Sequence, residues 1–253
     1  MNSDRLNYDN IADIYDRTRA LSKAQEALWL DIFENHLGIK KDSRVLDVGC
    51  GTGRFSISIT NRFQCTVIGI DPSLSMLVKA KTKYTPGTDW SGGIGEAIPF
   101  SAGVFEACLA SQVIHHFQNK PQAFAEIYRV LRPGGRVGIR ISSHEQLQTI
   151  IDYRFFPSAY KIECDRLPDV PVIKDMLFSA GFDRIEEHVI RQLLFENADE
   201  HLQRLRDKYA SILSLISEEE YCRGLQSAKN YFREYELTDD EKYAKITFIV
   251  GCK

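Results

Sequence analysis

Nine residues, VLDVGCGTG at positions 45–53, constrain this chain more than any others. An apolar run that closes on glycines at 49, 51 and 53 predicts a buried strand turning directly into a helix. The helix is legible in the adjoining segment RFSISITNRF, where Phe55, Ile59 and Phe63 recur at i, i+4 and i+8. Glycines at such a turn let a ligand approach backbone that a Cβ would shield, and the helix start meets that ligand with unpaired N–H groups. A dinucleotide pyrophosphate takes the spacing G-x-G-x-x-G. Here the glycines are spaced G-x-G-x-G, and Arg54 stands where the third dinucleotide glycine belongs. Asp47, at the strand's end, repels a pyrophosphate and favours a cation. The expected ligand therefore lacks phosphates and carries positive charge, as an amino-acid ammonium does, with the helix start nearby for a carboxylate.

The same alternation continues along the chain. CTVIGID reads as a second buried strand ending at Asp71, followed by a helix from near Ser73 through Met76, Leu77 and Ala80. EACLAS (106–111) and RVGIRIS (136–142) are further strands, and 121–131 is a helix with Pro121 in its first turn after Asn119. Upstream, 23–37 is a helix whose apolar face is expected at Leu28, Ile32 and either Phe33 or Leu37, stopped by Gly38. Strands alternating with helices predict a parallel sheet covered on both faces. Residues 144–172 are mixed, aromatic and irregular; VIKDMLFSAGF is helical; RIEEHVIRQ reads as a half-exposed strand. Residues 197–235 are charged and helical, and YAKITFIVGC closes the chain as a strand. Without an internal repeat or a low-complexity linker, one domain with helical additions is expected.

Composition narrows the function classes. Hydrophobic residues at 43% and charged residues at 26% exclude a largely disordered chain. A net charge of −3 gives no basic surplus for a nucleic-acid partner. No apolar run approaches the roughly 20 residues that cross a bilayer, and the polar N-terminus is not a secretory signal. Six cysteines without a paired-thiol motif read as reduced thiols. A cytoplasmic enzyme, monomer or homodimer, is expected.

Asp71 lies 18 positions after Gly53, near the separation at which an acid meets ribose hydroxyls in Rossmann-type sites. A ribose, an amino-acid end and no pyrophosphate together describe S-adenosylmethionine. VLDVGCGTG with VIGIDPS, GEAIPF, FEACLASQVIHHF and EIYRVLRPGGRV, in that order over residues 8–142, closely resembles the class I S-adenosylmethionine-dependent methyltransferases. The likeness is nearest to the branch that includes the ubiquinone/menaquinone and biotin-pathway enzymes. It implies an α/β, Rossmann-like sheet of seven mostly parallel strands in the order 3-2-1-4-5-7-6, the last antiparallel, with helices on both faces and a helical cap. The division implied is a lid at 1–40, a cofactor-binding core at 41–142, substrate-side insertions at 143–172 and 197–238, and closing strands at 183–192 and 243–252.

The resemblance also implies roles. Asp47 and the backbone of Gly49, Cys50, Gly51 and Gly53 hold the methionine part; Asp71 holds the ribose; Pro72 with Gly95, Glu96 and Ala97 borders the adenine; Ser111 and Gln112 lie near the methyl group. In the YDNIADIYDRTR segment, Tyr15 and Arg19 stand one helical turn apart and approach the cofactor, Arg19 toward its carboxylate. The family often has an acid on the adenine amino group where this chain has Ile94, which leaves either the neighbouring backbone or Glu96 to take that part.

Methyl transfer is an in-line displacement, and the protein aligns the acceptor and excludes water. A hydroxyl or thiol acceptor also needs a base. His115 matches the position used as a base in phosphoethanolamine-type relatives, and imidazole titrates in the useful range; His116 and Tyr15 are lesser candidates. The other histidines (His36, His144, His188, His201) read as structural or exposed, and no residue is assigned to a metal. Tyr153, Phe155, Phe156 and Tyr160 either roof an apolar acceptor site or pack beneath the insert at 197–235. Arg54 reads as an exposed first-turn residue. ASQVI lacks the Asn/Asp-Pro-Pro-Tyr/Phe of nucleic-acid amino-methyltransferases, and SQVIHHF lacks the acids of a metal-dependent catechol-type site. Arsenite methylation requires converging thiols, for which Cys164 and Cys222 are the candidates. The alternative from another class is a cofactor-binding regulator or scaffold without catalysis.

Overall fold

The computed structural model describes Asp16, residues 21–83 and residues 85–253. Helix α1 (Lys23–Leu37) starts at Ser22, whose hydroxyl accepts from Gln25 N while the Gln25 side chain accepts from Ser22 N. It ends at Gly38, in left-handed backbone at φ 65°. Its buried face is Trp29, Phe33 and Leu37, not the expected Leu28 and Ile32, which are half-buried. Two large rings one turn apart bury more area than Leu28 with Ile32, and they decide which way the helix turns.

The core then alternates: β1 (Arg44–Val48), α2 (Arg54–Phe63), β2 (Thr66–Asp71), α3 (Leu74–Thr82), β3 (Thr88–Gly92), β4 (Phe105–Ser111), α4 (Lys120–Val130) and β5 (Leu131–Ile141). A run of short helices comes next, α5 (His144–Gln148), α6 (Asp152–Phe155), α7 (Pro157–Arg166) and α8 (Val170–Ser179), before β6 (Asp183–Leu193). The second insertion is α9 (Ala198–Arg206) and α10 (Glu218–Glu234), and β7 (Tyr243–Cys252) ends the chain. The seven strands form one sheet in the order β3-β2-β1-β4-β5-β7-β6. Only β7 runs against its neighbours.

Three apolar clusters hold the layers. One face of the sheet packs Phe105, Phe124, Ile127, Ile173 and Phe182 under α4 and α8. The other packs Trp29, Phe33, Phe55, Ile59 and Phe248 under α1 and α2. The third joins Phe156 to Phe195, Leu205, Leu213, Tyr221 and Ala228, which makes the two insertions a single cap. Three features depart from the sequence reading. Residues 144–166, expected to be irregular, form helices; β3, with the polar sequence TDWSG, had no apolar run to reveal it; and β5 begins at Leu131, with a register shift before Arg136 resumes pairing at Ala107.

Candidate functional site

Parallel pairing of β1 with β2 sets Asp47 beside Gly69 and carries both strands to the same edge. There Gly49 N and Cys50 N donate to Ile70 O at 2.8 and 3.0 Å. Gly51 N donates to Asp71 Oδ2 at 2.8 Å, and Ser73 N to Asp71 Oδ1 at 2.9 Å. Gly49 and Gly53 both have positive φ, and a Cβ would come within 2.2 Å of Val113 at the first and 2.1 Å of Trp90 at the second. Thr52 donates to Asp16, which also pairs with Lys83 at 2.5 Å. Tyr15 and Arg19 lie outside the described residues.

Asp47 lies behind the loop, 3% exposed, and accepts from Ser56 Oγ at 2.6 Å. Burial pushes its carboxyl up to about 6, against the hydrogen bond from Ser56. Arg54 is half-buried in the cavity wall, not exposed as expected, and its charge eases the ionisation of Asp47.

A cavity of about 420 Å³ runs from the glycine loop to the cap. Among the expected site residues it brings together Gly49, Gly51, Asp71, Pro72, Ser111, Gln112 and His115, with His116 beside them. The two imidazole rings lie 4.0 Å apart. Gln112 holds a left-handed φ of 54°, unusual for a side-chain-bearing residue, while its N–H donates to Arg140 O. Asp47, Cys50, Gly53, Gly95, Glu96 and Ala97 do not line the cavity. Cys50 and Gly53 pack behind the loop, and a Cβ on Gly95 would strike Phe117 at 2.6 Å. Glu96 is engaged by backbone ahead of α4, its Oε1 accepting from Gln118 N at 2.5 Å and Asn119 N at 3.2 Å. Ile94 is exposed and bridges to Ala97 through backbone. None of the described cavity residues is a cysteine.

The cap end holds residues that the sequence did not single out. Arg140 on β5 is 5% exposed; its guanidinium lies 4.4 Å over the Trp29 ring and donates to Gln192 Oε1 at 2.9 Å. The same oxygen accepts from Trp29 Nε1 at 2.6 Å. Asp152 accepts from the Tyr209 hydroxyl at 2.6 Å and lies 2.8 Å from Nε2 of the fully buried His201. Burial and the Asp152 charge hold the Tyr209 phenol well above its ordinary value, so it donates and does not ionise. The aromatic segment divides. Tyr153 and Phe156 line the cavity, whereas Phe155 packs on Phe232 at 5.8 Å, and Tyr160 accepts from Gln148. No periodicity announces the Arg140–Gln192 contact, because 52 residues separate its partners and only the strand order brings them together.

Comparison with known proteins agrees with this geometry. A family described as the methyltransferase domain matches residues 46–139. A 2-phytyl-1,4-naphthoquinone methyltransferase of Thermosynechococcus vestitus is 26% identical over 72% of this chain and 91% of its own length. A demethylmenaquinone methyltransferase of Renibacterium salmoninarum is 33% identical, over 54% of this chain and 57% of its own length. Among solved structures, a chain assigned as a methyltransferase of an antibiotic biosynthesis pathway in Anabaena variabilis superposes with TM-score 0.80 at 20% identity, covering 92% of this chain and 98% of that one. Phosphoethanolamine N-methyltransferase 2 of Haemonchus contortus, solved with S-adenosylmethionine, gives TM-score 0.63 at 20% identity over 97% of this chain and 57% of its own. These likenesses show the fold.

Proposed function

We propose, on the premise that this chain belongs to the methyltransferases through the domain at residues 46–139, that it transfers the methyl group of S-adenosylmethionine to a small-molecule acceptor enclosed by the cap. One observation carries the reading: a single cavity has the glycine loop and Asp71 at one end and a partly apolar, cap-covered chamber at the other. The residues fit the cofactor. Backbone N–H groups of Gly51 and Ser73 hold the Asp71 carboxylate at the end of β2, where an acid suits the hydroxyls of a ribose. When bound, the cofactor supplies an electrophilic methyl carbon on a sulfonium.

The chain's own residues hold and orient. Gly49 and Gly51 present backbone without side chains, Asp71 fixes the nucleoside, and Ser111 with Gln112 stands between the two ends of the cavity. His115 is the candidate proton acceptor when the nucleophile is a hydroxyl or thiol. Tyr153, Phe156, Ile212 and Leu213 exclude water from the acceptor chamber, and Tyr209 with Asp152 gives it a polar end. Relatives that act on quinones favour a flat acceptor carrying one polar edge.

Calorimetric titration with S-adenosylhomocysteine and thermal shifts with NADH test the cofactor. Mass spectrometry across hydroxyquinones, phenols, amines and carrier-bound acids tests the transfer. Binding of S-adenosylhomocysteine with a methylated product is expected. Greater stabilisation by NADH overturns the cofactor, and binding without any product leaves the non-catalytic alternative standing.

A further inference from the structure

Away from the cavity, three side chains converge where the last turn of α1 meets the outer strand β6. The candidate ligating atoms of His36, Glu186 and His188 all lie within 4.8 Å of one another. The imidazole rings of His36 and His188 are 3.8 Å apart at 37°, and His188 Nε2 is 3.3 Å from Glu186 Oε2. Glu186 and His188 are two apart on a strand and so share a face. Pairing with β7 anchors them, Glu186 opposite Val250 and His188 opposite Phe248. His36 is anchored independently, because Trp29, Phe33 and Leu37 bury the face of α1 beside it.

We propose that His36, Glu186 and His188 bind a divalent transition-metal ion of the zinc class. Two imidazoles and one carboxylate suit zinc, cobalt, nickel or copper, whereas calcium and magnesium select oxygen donors. Three protein ligands leave a position for water, and the half-exposed setting gives an ion a path of entry. Arg136, which donates to His36 O at 2.8 Å, is the opposing cation and weakens the site. None of the three ligands lines the cavity, so the ion takes no part in the methyl transfer. It cross-links α1 to β6, two elements that reach the cavity elsewhere through Gln25 and Gln192.

The test is titration of the chelator-treated full chain with Co²⁺, read by visible absorption and by melting temperature. A ligand-field spectrum saturating at about one ion per chain, without a thiolate charge-transfer band, is expected, together with a higher melting temperature. His36→Ala and His188→Ala each weaken binding by at least about tenfold, and Glu186→Gln by several-fold, while affinity for S-adenosylhomocysteine stays unchanged. That unchanged affinity also shows that the variants are folded. No ligand-field spectrum, a thiolate band from exposed Cys222, or a titration that the variants leave untouched overturns the site.

Discussion

Asp47 places a carboxyl inside the sheet, where burial raises it from 3.8 to about 6. Between those values the folded chain holds a proton that the unfolded chain has lost. Stability therefore falls as pH climbs from about 4 to about 6, and above that range stays lower by about 2–3 kcal/mol. Asp47→Asn keeps an acceptor for Ser56 Oγ and removes the charge. Urea melts of this variant are expected to show a flattened pH dependence, with a gain near neutral pH that vanishes near pH 4. Asp71→Asn sets an amide against two backbone donors and the ribose; calorimetry should find the affinity for S-adenosylhomocysteine about 10–100-fold weaker. Tyr209→Phe leaves a buried oxygen of Asp152 with one donor fewer, which raises acceptor KM and leaves cofactor affinity unchanged. At this scale the sequence was readable where spacing along adjacent strands places a residue, as for Gly49, Gly51 and Asp71. For Glu96 it pointed to the adenine and gave no sign of the partners found, backbone amides more than 20 residues away.

Among elements, α10 approaches α6 through Gly224, where a Cβ would sit 2.4 Å from the Phe156 ring and 2.6 Å from Phe155 O. The backbone oxygen cannot rotate aside, so Gly224→Ala moves one helix off the other. The expected result is a higher acceptor KM with unchanged affinity for S-adenosylhomocysteine, measured by steady-state kinetics alongside calorimetry. Most of the strand–helix alternation of residues 44–141 was legible because β1, β2, β4 and the second half of β5 are apolar runs and α2 and α4 each bury one regular face. The cap was not. In α7 only Ala159 is buried, and α6 is a single turn, so no window there shows a helical period. Edge strand β3 escaped for a related reason: buried against one neighbour alone, TDWSG needs few apolar residues.

Across the whole molecule, the proposed reaction sets the cofactor on the sheet and the acceptor under the cap, so the two ligands are expected to stabilise different parts. S-adenosylhomocysteine at about 100 times its Kd should raise Tm by about 5–10 °C. Its hydrogen-exchange protection should concentrate at residues 49–54 and 71–73, leaving 198–214 little changed until an acceptor is added. The sheet itself faces an alignment problem along β6, whose eleven residues are mostly exposed and give little apolar preference for one face. Gln192 supplies what is missing. Its amide oxygen meets two groups that can only donate, the Trp29 indole and the Arg140 guanidinium, so the amide has one permitted orientation. A slip of one residue would bring Arg191 or Leu193 to that point, and neither can accept through its side chain. A single glutamine thus proofreads how the outermost strand docks, a discrimination that hydrophobic pattern alone does not give it.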